Sequence, residues 1–343
     1  MKRLLVCSAR LPPVSGGAEQ VAWETSKRLV NDYEVHILAV GNAHTSLREK
    51  VQIHYVPPIR PYTLSFATVL RPKLNAEFKD VSPDIIHSHI PLPWGYVFAA
   101  VRCAKIVTCH GEDVYPKQRY ATRFFTERAL RKADVVTAPS KWLADCIEDD
   151  YKVTCRVLPN GIDTSIFAPM KKVSQRSDVV LYVGRRAIRK GIKELVEAAK
   201  KLKQYEFWFV GDSEASSVEI PALPNIKVLG FVESLRDLVT CYNQATLCAF
   251  PSHWENFPVV GLEAMACGKA VIATRLGFSE YILDGSEGIL IEPGSSEELA
   301  RSIEYLMNDQ TKRKRLEQNA REKALRYDWN ALMVQYRKLY EEC

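Results

Sequence analysis

The feature of this sequence that most constrains its fold is an alternation of short apolar runs with helix-length amphipathic segments, which occurs twice. In the first half, the apolar runs predict strands at 3–8, 34–40, 52–56, 84–87, 105–109, 134–138 and 155–158. The amphipathic segments predict helices at 17–30, 64–79, 94–103, 119–132 and 140–149. The runs show little polar alternation, which is typical of parallel strands covered on both faces. The first half therefore predicts a doubly wound α/β domain.

The same alternation restarts after a polar segment at 167–178, which predicts an interdomain linker. The second half predicts strands at 179–183, 206–210, 226–229, 246–250, 270–273 and 288–291. It predicts helices at 191–203, 235–243, 258–267, 296–307, 309–326 and 329–341. We therefore expect one domain over residues 1–167 and another over 168–326. Neither half holds an obvious complete site, which favours a ligand bound between them.

Cysteine usage and hydropathy indicate the compartment. The chain has nine cysteines, none spaced as C-x-x-C, and most lie in apolar runs. Such a set favours buried reduced thiols over a disulfide framework or a zinc site. No stretch approaches the roughly 18 apolar residues of a membrane-spanning helix, and the apolar run after Arg3 is too short for a signal peptide. We expect a cytoplasmic protein, with peripheral attachment to the inner face of the membrane as the alternative.

The net charge of +6 is uneven, because +5 of it falls in residues 1–168. This mild excess favours an anionic partner for the first half, but it is too small for a nucleic-acid binder that also lacks recognition motifs. Within 117–132, aromatic residues interleave with Lys117, Arg119, Arg123, Arg128, Arg131 and Lys132. This stretch is suited to anionic lipid headgroups, and an ordinary amphipathic helix is the alternative. The segment 60–74 is a weaker candidate of the same kind.

A glycine pair, Gly16 and Gly17, ends the loop after the first strand and precedes a predicted helix. Glycines let backbone amides approach a ligand closely, and a helix N-terminus adds partial positive charge. The spacing is not G-x-G-x-x-G, so the dinucleotide-binding fingerprint is missing. A plain structural turn is the alternative interpretation.

Two cations, Arg185 and Lys190, follow the first strand of the second half. Open α/β sheets bind ligands at the carboxyl ends of their strands, and a departing pyrophosphate needs its charge neutralised. The two residues therefore indicate a diphosphate site. The alternative is a solvated basic loop, since Arg186 and Arg189 lie there too.

The sharpest signal is the segment 251–263, P-S-H-W-E-N-F-P-V-V-G-L-E, which follows a buried strand. Pro258 fits the first position of a helix, so Glu255 should lie on the preceding loop and Glu263 on a mostly apolar helix. A carboxylate there needs partners, and the two donors of a ribose diol suit it. The alternative is a capping Glu255 and a snorkelling Glu263.

Histidines are the remaining candidates. His110 follows the strand 105–109 and lies in a polar cluster at its carboxyl end. That position suits a ligand site, although a lone histidine there is often structural. His89 and His253 are weaker candidates of the same kind.

Taken in order, these motifs resemble those of the retaining GT-B glycosyltransferases of family 4, or group 1. The motifs are Gly16-Gly17-Ala18-Glu19, Pro159-Asn160-Gly161-Ile162-Asp163, Val183-Gly184-Arg185 with Lys190-Gly191, and Glu255-x7-Glu263. The resemblance covers nearly the whole chain. It implies two Rossmann-like domains that face each other across a cleft, with a final helix at 327–343 crossing back to the first domain.

The resemblance also implies roles for the candidate residues. Those expected to bind the nucleotide part of a sugar-nucleotide donor are Gly16, Gly17, Arg185, Lys190, Val232 and Glu263. Among them, Arg185 and Lys190 would bind the diphosphate, Glu263 the ribose hydroxyls, and Val232 would border the base. Those expected around the reacting sugar are His110, Glu255, Asn256 and Phe257, the last two through backbone amides.

The implied reaction moves a hexose from a UDP- or GDP-linked sugar to a hydroxyl of a lipid-linked or saccharide acceptor on the first domain. Family members retain the anomeric configuration and usually need no metal. We accordingly expect no metal site and no cofactor beyond the donor substrate, since no D-x-D motif lies in a suitable place.

Two other functions remain open. A sugar-nucleotide epimerase of the same architecture would need extra acid/base carboxylates. A non-catalytic sugar-nucleotide-binding partner should have eroded motifs, whereas Arg185, Lys190, Glu255 and Glu263 are all present.

Overall fold

The computed structural model describes residues 1–11, 16–41, 44–56, 81–99, 101–111, 120–212 and 218–343. The chain forms two compact units: unit 1 is Met1–Asn160 with Leu332–Cys343, and unit 2 is Gly161–Ala331. The boundary expected after residue 167 differs from this division. Residues 161–167 group with unit 2 because Ile162 and Phe167 are buried in its hydrophobic core.

Unit 1 is built on a mixed sheet. Its described strands are β1 (Arg3–Cys7), β2 (Glu34–Val40), β3 (His44–Arg48), β4 (Val51–Val56), β5 (Ile85–Ser88), β6 (Ala104–Thr108), β7 (Val135–Ala138) and β8 (Cys155–Val157). They lie in the order β3-β4-β2-β1-β5-β6-β7-β8, and only β3 pairs antiparallel. The order of the parallel strands reverses between β1 and β5, which is where such sheets place ligands.

The described helices of unit 1 up to residue 160 are α1 (Gly17–Leu29), α2 (Tyr96–Phe98), α3 (Tyr120–Arg131) and α4 (Lys141–Tyr151). An irregular turn at Pro91–Gly95, in which Leu92 has extended backbone, precedes α2. The helix predicted at 94–103 is thus much shorter and ends at Phe98. The segment 60–74 lies outside the described residues.

Unit 2 is built on a parallel sheet. Its described strands are β9 (Val179–Val183), β10 (Glu206–Val210), β11 (Ile226–Gly230), β12 (Leu247–Phe250), β13 (Ala270–Thr274) and β14 (Gly288–Ile291). They lie in the order β11-β10-β9-β12-β13-β14, so the order reverses between β9 and β12. Every residue of β9, β12 and β13 is buried, as expected for strands covered on both faces.

A 3₁₀ turn at Ile188–Lys190 precedes the first helix of unit 2. The described helices are α5 (Ile192–Lys201), α6 (Leu235–Gln244), α7 (Val259–Ala266), α8 (Arg275–Phe278), α9 (Ser296–Asn308), α10 (Gln310–Leu325) and α11 (Trp329–Glu341). Among the described residues, no helix is both long enough and apolar enough to cross a membrane.

The last helix, α11, belongs to both units. Its first residues group with unit 2, where Gly161 packs on the Trp329 ring so closely that a Cβ would lie 2.5 Å from it. From Leu332 onward it groups with unit 1, where Tyr336 and Tyr340 are fully buried. The hydrophobic core of unit 1 is therefore built from both ends of the described chain.

Candidate functional site

In unit 2, two loops meet at the reversal of strand order, one after β9 and one after β12. The His253 amide donates a hydrogen bond to the Arg189 carbonyl at 2.7 Å. Gly191 has φ +72°, and a Cβ there would lie 1.9 Å from the Pro251 carbonyl oxygen. Only glycine tolerates both this conformation and this approach. The two loops are therefore locked side by side.

This packing brings Lys190 and Glu255 together, although the sequence suggests separate roles for them. Lys190 Nζ forms an ion pair with Glu255 Oε1, which also accepts a hydrogen bond from Ser252 Oγ at 2.9 Å. The two charged side chains are only 17% and 10% exposed. A pair shielded in this way is screened by salt less than a surface pair. Ser252, which orients the carboxylate, was missed by sequence reasoning.

The irregular turn of α8, directly after β13, packs against the backbone of Glu255. Gly277 has φ +79°, and a Cβ there would lie 2.7 Å from the Glu255 carbonyl oxygen. The close approach of Gly277 therefore restrains the backbone position of Glu255.

Glu263 lies half-buried on α7, as predicted, and it has a partner that was not predicted. Tyr242 on α6 donates a hydrogen bond from Oη to Glu263 Oε2 at 2.7 Å. Burial raises the pKa of Glu263 to about 7, and the bond from Tyr242 partly opposes this rise. The Tyr242 ring is fully buried, and a buried phenol needs a hydrogen-bond partner. The requirement of a buried tyrosine for a partner was the sequence signal that could have pointed to this hydrogen bond.

The start of α7 is fixed by aromatic packing. Helix α7 begins at Val259, so Pro258 is the N-cap, one position before the place predicted for it. Tyr281 donates a hydrogen bond from Oη to the Pro258 carbonyl at 2.5 Å. Phe257 packs on Tyr281 with ring centroids 5.3 Å apart, and it is buried, as is Asn256. The Phe257 side chain thus belongs to the core, which leaves its backbone for any ligand contact.

Glycines end three neighbouring strands of unit 2, and Arg185 follows the first of them. The Gly184 amide donates to the Val210 carbonyl at 2.9 Å, and the Gly211 amide donates to the Gly230 carbonyl at 2.7 Å. A Cβ on Gly211 would lie 2.2 Å from the Gly184 carbonyl oxygen. At the ends of these three strands, the glycines therefore leave the backbone uncovered by their own side chains.

The other predicted residues of unit 2 lie around this edge. Arg185 is exposed, and its carbonyl accepts a hydrogen bond from Tyr182 Oη at 2.8 Å. Val232, which follows the glycine that ends β11, packs partly against the unit 2 core. His253, a weak candidate, pairs with Glu194 of α5 at 2.9 Å.

In unit 1, Gly16 and Gly17 form the N-terminus of α1 next to the reversal of strand order. Gly16 is the N-cap, and its amide donates to Glu19 Oε2 at 2.9 Å. A Cβ on Gly17 would meet no atom within 4 Å, and both glycines are exposed. The preceding residues 12–15 lie outside the described part of the chain.

His110 lies at the carboxyl end of β6, and its ring lies edge to edge with that of His89, which follows β5. Their ring centroids are 5.5 Å apart and their planes differ by 17°. Burial lowers the pKa of His110 to about 4. His110 is therefore neutral at pH 7, which suits a hydrogen-bonding role better than a cationic one.

Both halves of the chain match known families. Residues 15–166 match Glycosyltransferase Family 4, and residues 167–323 match Glycosyl transferases group 1. This chain belongs to glycosyltransferase family 4. An uncharacterized glycosyltransferase of Methanocaldococcus jannaschii is 28% identical to it over 96% of this chain and 95% of that protein.

Two further proteins are similar to this chain over most of its length. The phosphatidyl-myo-inositol mannosyltransferase of Mycolicibacterium smegmatis is 24% identical over 96% of this family 4 chain and 90% of its own length. The Anabaena protein HepE, solved in complex with UDP, is 22% identical and superposes with a TM-score of 0.82 over 100% of both chains. HepE has also been solved in complex with UDP-glucose. The predicted GT-B fold and the family are confirmed.

The structure changes one expectation about the basic stretch 117–132 of this glycosyltransferase, the first residues of which are not described. Arg123 was predicted among the surface cations. Instead, its Nη2 donates to the Asp150 carbonyl in the last turn of α4 at 2.7 Å. It therefore holds α3 against α4, whereas Arg128 and Phe124 are exposed.

Proposed function

We propose that this glycosyltransferase moves a hexose from a UDP- or GDP-linked sugar to a hydroxyl of a lipid-linked or saccharide acceptor, with retention and without a metal. The observation that carries the proposal is the Lys190–Glu255 pair, held by the loops that follow β9 and β12. It places a cation and a carboxylate where a parallel sheet binds ligands.

The chemistry follows from these groups. Lys190 and Arg185 neutralise the diphosphate, which stabilises the leaving group as the bond between the anomeric carbon and the phosphate oxygen breaks. The acceptor oxygen bonds to the same face of that carbon and gives its proton to the departing phosphate. Glu255 orients the sugar, Glu263 holds the ribose hydroxyls, and His110 contributes a hydrogen bond.

Two relatives support the substrate classes. HepE binds UDP and UDP-glucose in its solved complexes, which supports a sugar-nucleotide donor. The mannosyltransferase of M. smegmatis is named for a phosphatidyl-myo-inositol acceptor, which supports a lipid acceptor.

A panel of UDP-, GDP- and ADP-sugars tests the donor assignment. We expect one class to raise the melting temperature, because a ligand that binds only the folded state stabilises it. The same donor should be slowly hydrolysed to the nucleoside diphosphate. Conversion of the donor alone to an epimer would instead indicate the epimerase, and stabilisation without any turnover would indicate the binding partner.

Stereochemistry and metal dependence form a second prediction. Activity should survive EDTA, because cationic side chains rather than a divalent ion neutralise the diphosphate. The product linkage, read from anomeric coupling constants by NMR, should keep the donor's configuration. An inverted linkage would refute retention, and loss of activity that Mg²⁺ restores would refute metal independence.

A third prediction concerns an acceptor on an anionic membrane. At low salt, the protein should cosediment with vesicles that contain anionic lipid, with about 1 kcal/mol from each basic residue that reaches the surface. Replacing Arg128, Arg131 and Lys132 on and beside α3 with serine should abolish cosedimentation and leave donor affinity unchanged. Arg123 is left intact because it supports the fold.

The matched control removes the same charge from unit 2, at the exposed residues Lys200, Lys201 and Lys203. This control should still cosediment. Wild-type protein that stays in the supernatant at low salt would remove the membrane proposal without touching the glycosyltransferase reaction.

A further inference from the structure

Three histidines of unit 1 lie together at the carboxyl ends of two adjacent strands. His87 lies within β5, His89 follows it, and His110 follows β6. The ring centroids of His87 and His89 are 4.2 Å apart, and those of His89 and His110 are 5.5 Å apart. Between His89 and His110, whose ring nitrogens lie within hydrogen-bond distance, the position of one ring proton determines where the other can be.

His87 belongs to the scaffold. Its Nδ1 lies 2.6 Å from Tyr340 Oη, and its Nε2 lies 2.7 Å from Thr108 Oγ1. Burial lowers the pKa of His87 to about 3, so the ring is neutral. With both ring nitrogens engaged, His87 packs against His89 without exchanging a hydrogen bond with it.

Within the described part of the chain, the ring of His89 has a single polar contact. It is 1% exposed, and its Nδ1 lies 3.3 Å from His110 Nε2. Its Nε2 is buried and has no hydrogen-bond partner among the described residues. Burial lowers the pKa of His89 well below the usual value, so this neutral ring carries one proton.

The place of that proton follows from its surroundings. In protein backbones a buried N–H without an acceptor is rarer than an under-satisfied carbonyl, and we apply the same preference to the ring nitrogens of His89. The His89 proton therefore belongs on Nδ1, where His110 Nε2 accepts it. Since neutral His110 also carries one proton, that proton must then lie on Nδ1.

We propose that His89 is a positioning residue that holds His110 in the tautomer protonated on Nδ1. In this state His110 is a hydrogen-bond donor through Nδ1 and cannot take a proton there. The consequence for catalysis rests on the proposed function, which places His110 in contact with the sugar. In that contact, a sugar hydroxyl or a phosphate oxygen would accept a hydrogen bond from His110 Nδ1–H as the sugar nucleotide is cleaved.

Ring-nitrogen NMR of the full chain tests the tautomer directly. Long-range ¹H–¹⁵N spectra of histidine-labelled protein distinguish protonated from bare ring nitrogens. The chain has seven histidines, and spectra of His110→Gln and His89→Asn assign the two signals. We expect His110 protonated on Nδ1, whereas protonation on Nε2 would overturn the proposal. This readout needs no donor, so it can succeed even if the proposed function fails.

A pair of variants tests the consequence for catalysis. In His89→Asn the side-chain amide nitrogen takes the place of Nδ1, so it can still donate to His110 Nε2. In His89→Gln the amide takes the place of Nε2, so this hydrogen bond is lost. We expect the asparagine variant to keep kcat and the glutamine variant to lose about tenfold in kcat with little change in donor KM, the effect of one hydrogen bond. Melting temperatures establish that both variants fold. Equal kcat values in the two folded variants would show that His89 acts through packing alone.

Discussion

Replacing Lys190 with alanine should weaken nucleoside-diphosphate binding by about 10- to 150-fold, the equivalent of a lost charge-assisted contact of about 1.5–3 kcal/mol. The variant loses the cation that is proposed to bind the diphosphate. It also leaves Glu255, only 10% exposed, without its counter-charge. The unpaired carboxylate then repels the diphosphate. Calorimetry with UDP and GDP measures the effect.

Two further variants sharpen this result. Lys193→Ala removes the same charge from an exposed position on α5 and should leave binding unchanged. The double variant Lys190→Ala with Glu255→Gln should bind better than Lys190→Ala alone, because the repelling charge is gone; such non-additivity is the mark of a coupled pair. Unchanged binding of every nucleoside diphosphate in Lys190→Ala would place the diphosphate site elsewhere. A parallel Arg185→Ala variant should weaken binding in the same direction.

The two glutamates should separate in kinetics. Glu255→Gln should lower kcat, because its proposed contact is with the reacting sugar, whereas Glu263→Gln should mainly raise the donor KM. Glu263 also predicts a pH dependence, because burial raises its pKa to about 7. Below that pH the carboxyl is protonated and accepts fewer hydrogen bonds from the ribose. The wild-type donor KM should therefore rise as the pH falls through 7.

Matched variants isolate this titration. In Glu263→Gln, the donor KM should no longer rise through that pH range. In Tyr242→Phe the rise should begin at a higher pH, because the lost hydrogen bond had stabilised the carboxylate and lowered its pKa. Small and equal changes in kcat and donor KM for Glu255→Gln and Glu263→Gln would show that the two glutamates only support the start of α7 and do not contact the donor.

Much of the strand pattern was predictable from sequence for a physical reason. Strands β9, β12 and β13 of unit 2 are short apolar runs that are buried on both faces, so their apolar character is continuous. The strands predicted at 179–183, 206–210 and 288–291 have the observed bounds. The edge strand β3, His44–Arg48, was missed because its sequence, H-T-S-L-R, is polar and lacks such a run.

The contacts of the candidate site were less predictable. The residues themselves stand out, but Lys190 and Glu255 are 65 positions apart and meet only because of close backbone approaches at glycines. Tyr242 and Glu263 lie on two different helices. Sequence periodicity reports which face of an element is buried, not which polar group lies opposite. Arg123 shows the same limit, since periodicity does not distinguish a solvated cation from one that caps a neighbouring helix.

The division of α11 between the units has a consequence for synthesis on the ribosome. Unit 2 needs residues 161–331, which emerge as one continuous run. Unit 1 contains the first residues of the described chain, yet its core includes Tyr336 and Tyr340, and Tyr340 bonds to His87. The amino-terminal unit is therefore completed last, after its partner has been fully translated. A fragment that stops at residue 160 should expose the apolar surface that these tyrosines cover.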